Sequence, residues 1–175
     1  KKWDQKNYKE LKQNFIFLKN INYSKIKKIN PKIIFFIHWS KIITKKIYEN
    51  YLCIQFHSSN LPNGRGGSPI QNQILLGKKK TKLTAFKVSN NLDAGPICLK
   101  KNLSLKGSAE EIFKRMELTS IKMIDKISKT KKLRFNKQLG RPTLFKRRKN
   151  SESRIKFDKS NSVKKLYDFL RLLDA

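Results

Sequence analysis

Two histidines stand where chemistry could begin, because each closes a continuous apolar run: His38 ends Lys32-Ile-Ile-Phe-Phe-Ile and His57 ends Tyr51-Leu-Cys-Ile-Gln-Phe. Imidazole exchanges a proton near neutral pH, so either ring could serve as a general base. In open α/β sheets ligands bind beyond the carboxyl ends of the strands, which is where both residues fall. Position alone does not decide the matter, since a strand-end histidine is as readily a structural residue. His57 is set apart by the loop after it, Ser58-Ser-Asn-Leu-Pro-Asn-Gly-Arg-Gly-Gly67. Arg65 in that loop could meet a phosphate or carboxylate, or simply clamp the loop. Asp93, in Leu92-Asp-Ala-Gly95, reads on its own as a turn residue before a glycine. The two histidines and two cysteines lack the paired spacing of a zinc site, so no metal is expected.

Elements that could position these groups can be read from periodicity and punctuation. A helix is expected over residues 5 to 12, a short apolar run over 15 to 18 and weak helicity over 25 to 29. The two apolar runs ending at the histidines have strand length and no polar alternation, which predicts strands buried on both faces, with a helical stretch over 42 to 49 between them. Ser68-Pro69 predicts a helix N-cap and first turn, and Gly77 its C-cap. Strands are expected over 83 to 88 and 97 to 103. Ser108-Ala-Glu-Glu111 is a capping box that opens the longest helix, to about Ile127, with Ile112, Met116, Leu118, Ile121, Ile124 and Ile127 as its core stripe. Short strands over 143 to 145 and 155 to 157, and a helix over 162 to 173, complete the chain. Strands alternating with helices predict a Rossmann-like α/β fold with an open, mostly parallel sheet and flanking helices.

The 175 residues suit one compact domain. Its 42 basic against 12 acidic residues, a net charge of +30, invite an anionic partner. Yet 34 of the 42 are Lys and they spread along the whole chain instead of forming one stripe, which fits an ordinary solvated surface equally well. No apolar run approaches the roughly 20 residues that cross a bilayer, and no signal peptide is visible. Cys53 and Cys98 read as small core residues of a reducing, cytoplasmic environment.

Taken whole, the string from His57 to Gly66, with Ser68-Pro69 after it, resembles the signature of the folate-dependent formyltransferases: Asn-x-His, a small residue, Ser-Leu-Leu-Pro, two variable residues, Arg-Gly, and a proline opening the next helix. Leu92-Asp-Ala-Gly95 resembles the family's second signature, an Asp-x-Gly loop after a strand. The separation of 36 residues between His57 and Asp93 is that expected for the pair. Pro142 to Arg148 with Ile155, and Leu166 to Leu173, are similar to the segments after the family's catalytic core. The resemblance implies a catalytic core over residues 1 to 135, a C-terminal segment over 136 to 175 packed on the same domain, and a missing N-terminal strand, as in a piece of a longer protein.

The resemblance further implies a donor, 10-formyltetrahydrofolate, and an acceptor amine, with His57 as base and Asp93 as its carboxylate partner. The folate would lie against Ser59, Leu61, Pro62, Arg65, Gly66 and Gly67 of the first loop and Ser89, Asn90, Asn91 and Leu92 of the second, with Gly66 and Gly67 at positive φ. The family's oxyanion-binding Asn, two residues before the His, is Gln55 here. One extra methylene moves the amide by about 1.5 Å unless the backbone shifts, and a misplacement of ~1 Å can cost about 100-fold. Gln55 therefore reads either as the working amide or as a tolerated replacement, and Asn60 could supply the amide instead. The Gly-Arg-Gly-Gly-Ser-Pro string favours, as acceptor, an amino sugar attached to a nucleotide. Methionyl-tRNA is the alternative acceptor, and a non-catalytic, RNA-binding module on the same fold is the reading from another class.

Overall fold

The computed structural model of the protein describes residue 11, residues 15–154 and residues 162–173. In chain order the elements are α1 (Tyr23–Ile29), β1 (Ile33–Phe36), α2 (Lys45–Tyr48), β2 (Leu52–His57), β3 (Arg65–Gly66), α3 (Pro69–Leu75), β4 (Lys80–Lys87), β5 (Ile97–Ser104), α4 (Ala109–Lys129), β6 (Leu144–Phe145), a 3₁₀ turn (Asn150–Ser153) and α5 (Val163–Leu173). The helix expected over 5 to 12 and the strand expected over 155 to 157 lie outside the described residues, apart from Leu11, which is buried in the core.

Four strands form the main sheet in the order β1-β2-β4-β5. β1 and β2 pair in parallel, while β4 is antiparallel to both β2 and β5. Three strands therefore run one way and one against them, so the α/β reading holds with a mixed sheet. Connection length explains the exception. α3 has seven residues, about 10 Å of rise, so it does not carry the chain back across the sheet, and β4 enters from the end at which β2 left.

The two faces of the sheet bury two cores. Ile54 and Phe56 of β2, Leu83 and Ala85 of β4 and Leu103 of β5 meet Ile70 and Ile74 of α3 and the stripe of α4. On the opposite face Cys53 joins Ile26, Phe36, Ile43, Ile47 and Val88. The unbroken apolar run of β2 reflects this double coverage. Each fully buried Ile or Leu contributes roughly 1.5–3 kcal/mol.

α4 begins as expected: Ser108 Oγ accepts from the Glu111 amide at 3.2 Å, and Glu111 Oε2 accepts from the Ser108 amide at 2.7 Å. Its stripe needs one correction. Leu118 is 42% exposed, whereas Met123 is fully buried. Two residues beyond Met116, Leu118 has turned about 200° around the helix, away from the core. Ser68 is a second correction. It precedes α3 at φ 46 with no side-chain cap bond, and its hydroxyl accepts from the Arg148 amide at 3.1 Å, so it ties the C-terminal segment down instead of capping. Gly77 ends α3 at φ +69, donating to the Ile74 carbonyl at 2.8 Å.

Candidate active site

His57 is the last residue of β2 and shares a sheet face with Gln55, because alternate residues of a strand point the same way. Its cross-strand partner is Thr84, and that of Gln55 is Phe86. The ring is buried at 6% exposure. Its Nε2 lies 2.7 Å from the Gly64 carbonyl oxygen. A carbonyl only accepts, so Nε2 carries a hydrogen in this arrangement and Nδ1 is the nitrogen left to take up a proton. Nδ1 stands 3.6 Å from Asp93 Oδ2.

Asp93 arrives from the loop between β4 and β5, also 6% exposed, at φ 48. That left-handed conformation is one an aspartate adopts more readily than most residues. Its Oδ2 accepts from the Gly66 amide at 2.8 Å, so the second signature loop is bonded to the first. Gly66 has to be glycine: φ is +97, and a Cβ there would lie 2.4 Å from the Phe145 carbonyl oxygen. Gly67 is needed for another reason than the expected positive φ, which it does not have. A Cβ at that position would fall 2.6 Å from the Arg147 Cα, so its task is close approach of two backbones.

A residue that sequence reading missed holds these loops together. Gln138 Nε2 donates to the carbonyls of Asp93 and Gly95, both at 2.8 Å. Its Oε1 accepts from Arg65 Nε at 3.2 Å and Nη2 at 2.7 Å. The guanidinium thereby acts as a clamp, one of the two readings Arg65 allowed. Gln138 sits in a basic stretch with no motif around it, so nothing in its neighbourhood advertised the role. Thr143 completes the brace, its hydroxyl accepting from the Gly64 amide at 2.7 Å and its carbonyl from the Arg65 amide at 2.9 Å. β3 and β6 pair in parallel beside it.

The remaining sequence-derived residues separate into two places. Gln55 is half-buried and its amide makes no hydrogen bond among the described residues, so it remains available on the face of His57. Asn60 turns elsewhere: its Oδ1 accepts from Lys100 Nζ at 2.7 Å, and it borders a cavity whose lining includes neither His57 nor Asp93. The same ammonium donates to the Leu61 carbonyl at 2.5 Å. Burial, and then the charge of Lys82, holds Lys100 below the usual lysine range. Ser59 is buried, and its carbonyl accepts from Thr84 Oγ1 at 2.6 Å. Leu61 and Pro62 are buried too, joined by a cis peptide bond. On the second loop Ser89 Oγ donates to the Asn91 carbonyl at 3.4 Å, Asn90 Oδ1 accepts from Tyr48 at 3.5 Å, and Leu92 is 67% exposed.

His38, the other strand-end histidine, also has a left-handed backbone, φ 51, and burial lowers its pKa to about 4. Cys53 and Cys98 are free thiols that burial pushes up to about 12 and about 11, so neither is a nucleophile near neutral pH. No group of metal-binding side chains occurs among the described residues, and no described helix is long and apolar enough to cross a membrane.

An imidazole at a strand end, bonded through two loops to a carboxylate from the next hairpin, is the arrangement on which the comparisons with known proteins bear. The profile described as Formyl transferase matches residues 5–124. The methionyl-tRNA formyltransferase of Thermodesulfovibrio yellowstonii is 30% identical over 162 residues, 88% of this chain and 52% of that protein. The solved methionyl-tRNA formyltransferase from Clostridium thermocellum superposes with a TM-score of 0.91 at 43% identity, covering 100% of this chain and 80% of the other. WlaRD, a sugar 3N-formyl transferase solved with dTDP and 5-N-formyl-THF, superposes at 0.67 with 16% identity, covering 87% of this chain and 57% of that one. The chain belongs to the formyl transferase family. It spans about half the length of the Thermodesulfovibrio relative.

Proposed function

We propose that the protein transfers a formyl group from 10-formyltetrahydrofolate to the α-amine of methionyl-tRNA. The observation that carries this reading is the placement of His57 Nδ1 at 3.6 Å from Asp93 Oδ2, both buried at one sheet end, in a chain whose relatives at 30% and 43% identity are methionyl-tRNA formyltransferases. The amino-sugar acceptor that the loop string favoured has weaker support. The sugar-modifying relative is like this chain only in fold, at 16% identity.

The donor supplies an electrophilic formyl carbon bound to nitrogen. The loops suit such a flat, hydrogen-bonding heterocycle, with the exposed Leu92 as an apolar surface and polar neighbours at 89 to 91. His57 takes on Nδ1 the proton that the acceptor nitrogen sheds as it bonds to the formyl carbon, and Asp93 stabilises the resulting imidazolium. His57 then returns the proton to the departing donor nitrogen as the carbon–nitrogen bond breaks, which closes the proton count without an outside acid. In this reading Gln55, two residues earlier on the same face, donates its amide to the oxyanion of the tetrahedral intermediate. Donors of this kind are worth about 3–4 kcal/mol where measured.

Incubating the protein with 10-formyltetrahydrofolate and methionyl-tRNA, and hydrolysing the product to look for N-formylmethionine, tests the reading. Formylmethionine that disappears in His57→Ala supports it. Formylation of an amino-sugar nucleotide with none on methionyl-tRNA overturns the acceptor, and no transfer to either returns the protein to the non-catalytic, RNA-binding alternative.

A further inference from the structure

The sheet face that carries His57 continues into a basic cavity that formyl transfer itself does not use. Cross-strand pairs share a face, so His57 leads to Thr84 and Lys100, then to Lys82 opposite Asn102, and then to Lys80 opposite Ser104. The loop after His57 crosses this face, fixed by Thr84 on the Ser59 carbonyl and by Lys100 on Asn60 and Leu61. Beyond the loop opens a cavity of about 750 Å³, bordered by Asn60 and Asn63 on the loop side and by Lys78, Lys80 and Lys82 on the other. Its lining carries three ammonium groups and no carboxylate. Lys78 and Lys80 are exposed, and none of the three has an ion-pair partner among the described residues. Phe145 adds an aromatic side chain to the lining.

Each feature points to one ligand chemistry. Lys80 and Lys82 are alternate strand residues, about 6.8 Å apart, a spacing on the scale of successive phosphates along an extended strand. The side-chain amides of Asn60, Asn63 and Asn102 can bond sugar hydroxyls or base edges, and an aromatic face can stack an unpaired base. We propose that this cavity seats the single-stranded RNA next to the acylated end of the acceptor, with Lys80 and Lys82 contacting its phosphates and Phe145 stacking a base. The proposal rests on the methionyl-tRNA reading and deepens it, because it gives the RNA of that acceptor a seat on the same sheet face as His57.

The double variant Lys80→Gln/Lys82→Gln tests it, with Lys122→Gln/Lys126→Gln on the exposed side of α4, across the sheet, as control. Binding of a short single-stranded RNA oligonucleotide is measured across a salt series, alongside formylation of methionyl-tRNA. The expected result is about tenfold weaker RNA binding in the first variant, with the slope of log affinity against log salt smaller by about 1.5, KM for methionyl-tRNA raised in parallel, kcat and the donor KM unchanged, and the control like wild type. RNA affinity indifferent to Lys80 and Lys82 overturns the proposal, even where formylation of methionyl-tRNA stands. The converse, lysine-dependent RNA binding without any formylation, removes the function and leaves the RNA site. Loss of affinity for a sugar nucleotide instead of RNA assigns the cavity to that smaller phosphate ligand and also overturns the proposal.

Discussion

The ends of β1 and β2 make a natural comparison, since two adjacent parallel strands each finish in an apolar run with a histidine at or just past the last residue. After β1 the chain passes His38 and reaches a short helix, and burial keeps that ring neutral down to about pH 4. After β2 it enters a loop that is bonded to a second loop and braced by a third segment, and the result is a carboxylate within 3.6 Å of the imidazole. The strand end supplies a position, and long-range loop pairing supplies the chemistry. The basic cavity repeats the lesson, because three lysines become a site only where the loop of His57 forms a wall opposite them.

Four experiments would break or sharpen this contrast. The largest expected effect belongs to His57→Ala, a loss of formyl transfer on the order of 100- to 10,000-fold with far-UV circular dichroism unchanged, while His38→Ala leaves kcat within about twofold of wild type. Equal losses from both substitutions would erase the distinction between the two strand ends. Next comes Asp93→Asn, which keeps an acceptor for the Gly66 amide but not the charge beside Nδ1; kcat should fall about 100-fold, with the donor KM nearly constant. Third, Gln138→Leu strands two loop carbonyls and the Arg65 clamp, and should cost roughly 1–3 kcal/mol of stability in urea titration, together with a smaller loss of kcat than either site mutant.

The smallest effect is a pH effect at the other strand. A histidine whose folded pKa is lowered, here to about 4 from 6.5, contributes stability above pH 6.5 and loses it as pH falls toward 4, because the unfolded chain binds the proton first. His38→Phe should flatten that part of the acid limb in a plot of unfolding free energy against pH. An unchanged slope between pH 6.5 and 4 would mean that the ring is not held neutral by its surroundings.

Much of the fold was legible because it is written in local rules. The capping box at Ser108, the doubly apolar runs of β1 and β2 and the glycine after α3 each act within a few residues, and each appears as expected. Leu118 departs from the stripe because its apolar side chain sits about 200° around the helix from Met116, where it is 42% exposed. Ser68 failed because its hydroxyl was drawn to an amide 80 residues away instead of to its own helix. At the site, His57 and Asp93 could be picked out by motif, whereas Gln138 and Thr143 act through backbone carbonyls and amides of distant segments and leave no pattern in the chain. Asn60 shows the same limit from the other side: three residues from His57 in sequence, it is drawn off by Lys100 into a separate cavity.

One measurement bears most directly on the claim that His57 and Asp93 act as a unit, namely single-turnover formylation of methionyl-tRNA by His57→Ala, Asp93→Asn and the double variant. Acting together, the two groups predict a double variant scarcely slower than His57→Ala, because a carboxylate has no imidazolium left to stabilise. Losses that multiply, with Asp93→Asn just as damaging when His57 is already gone, would contradict the account.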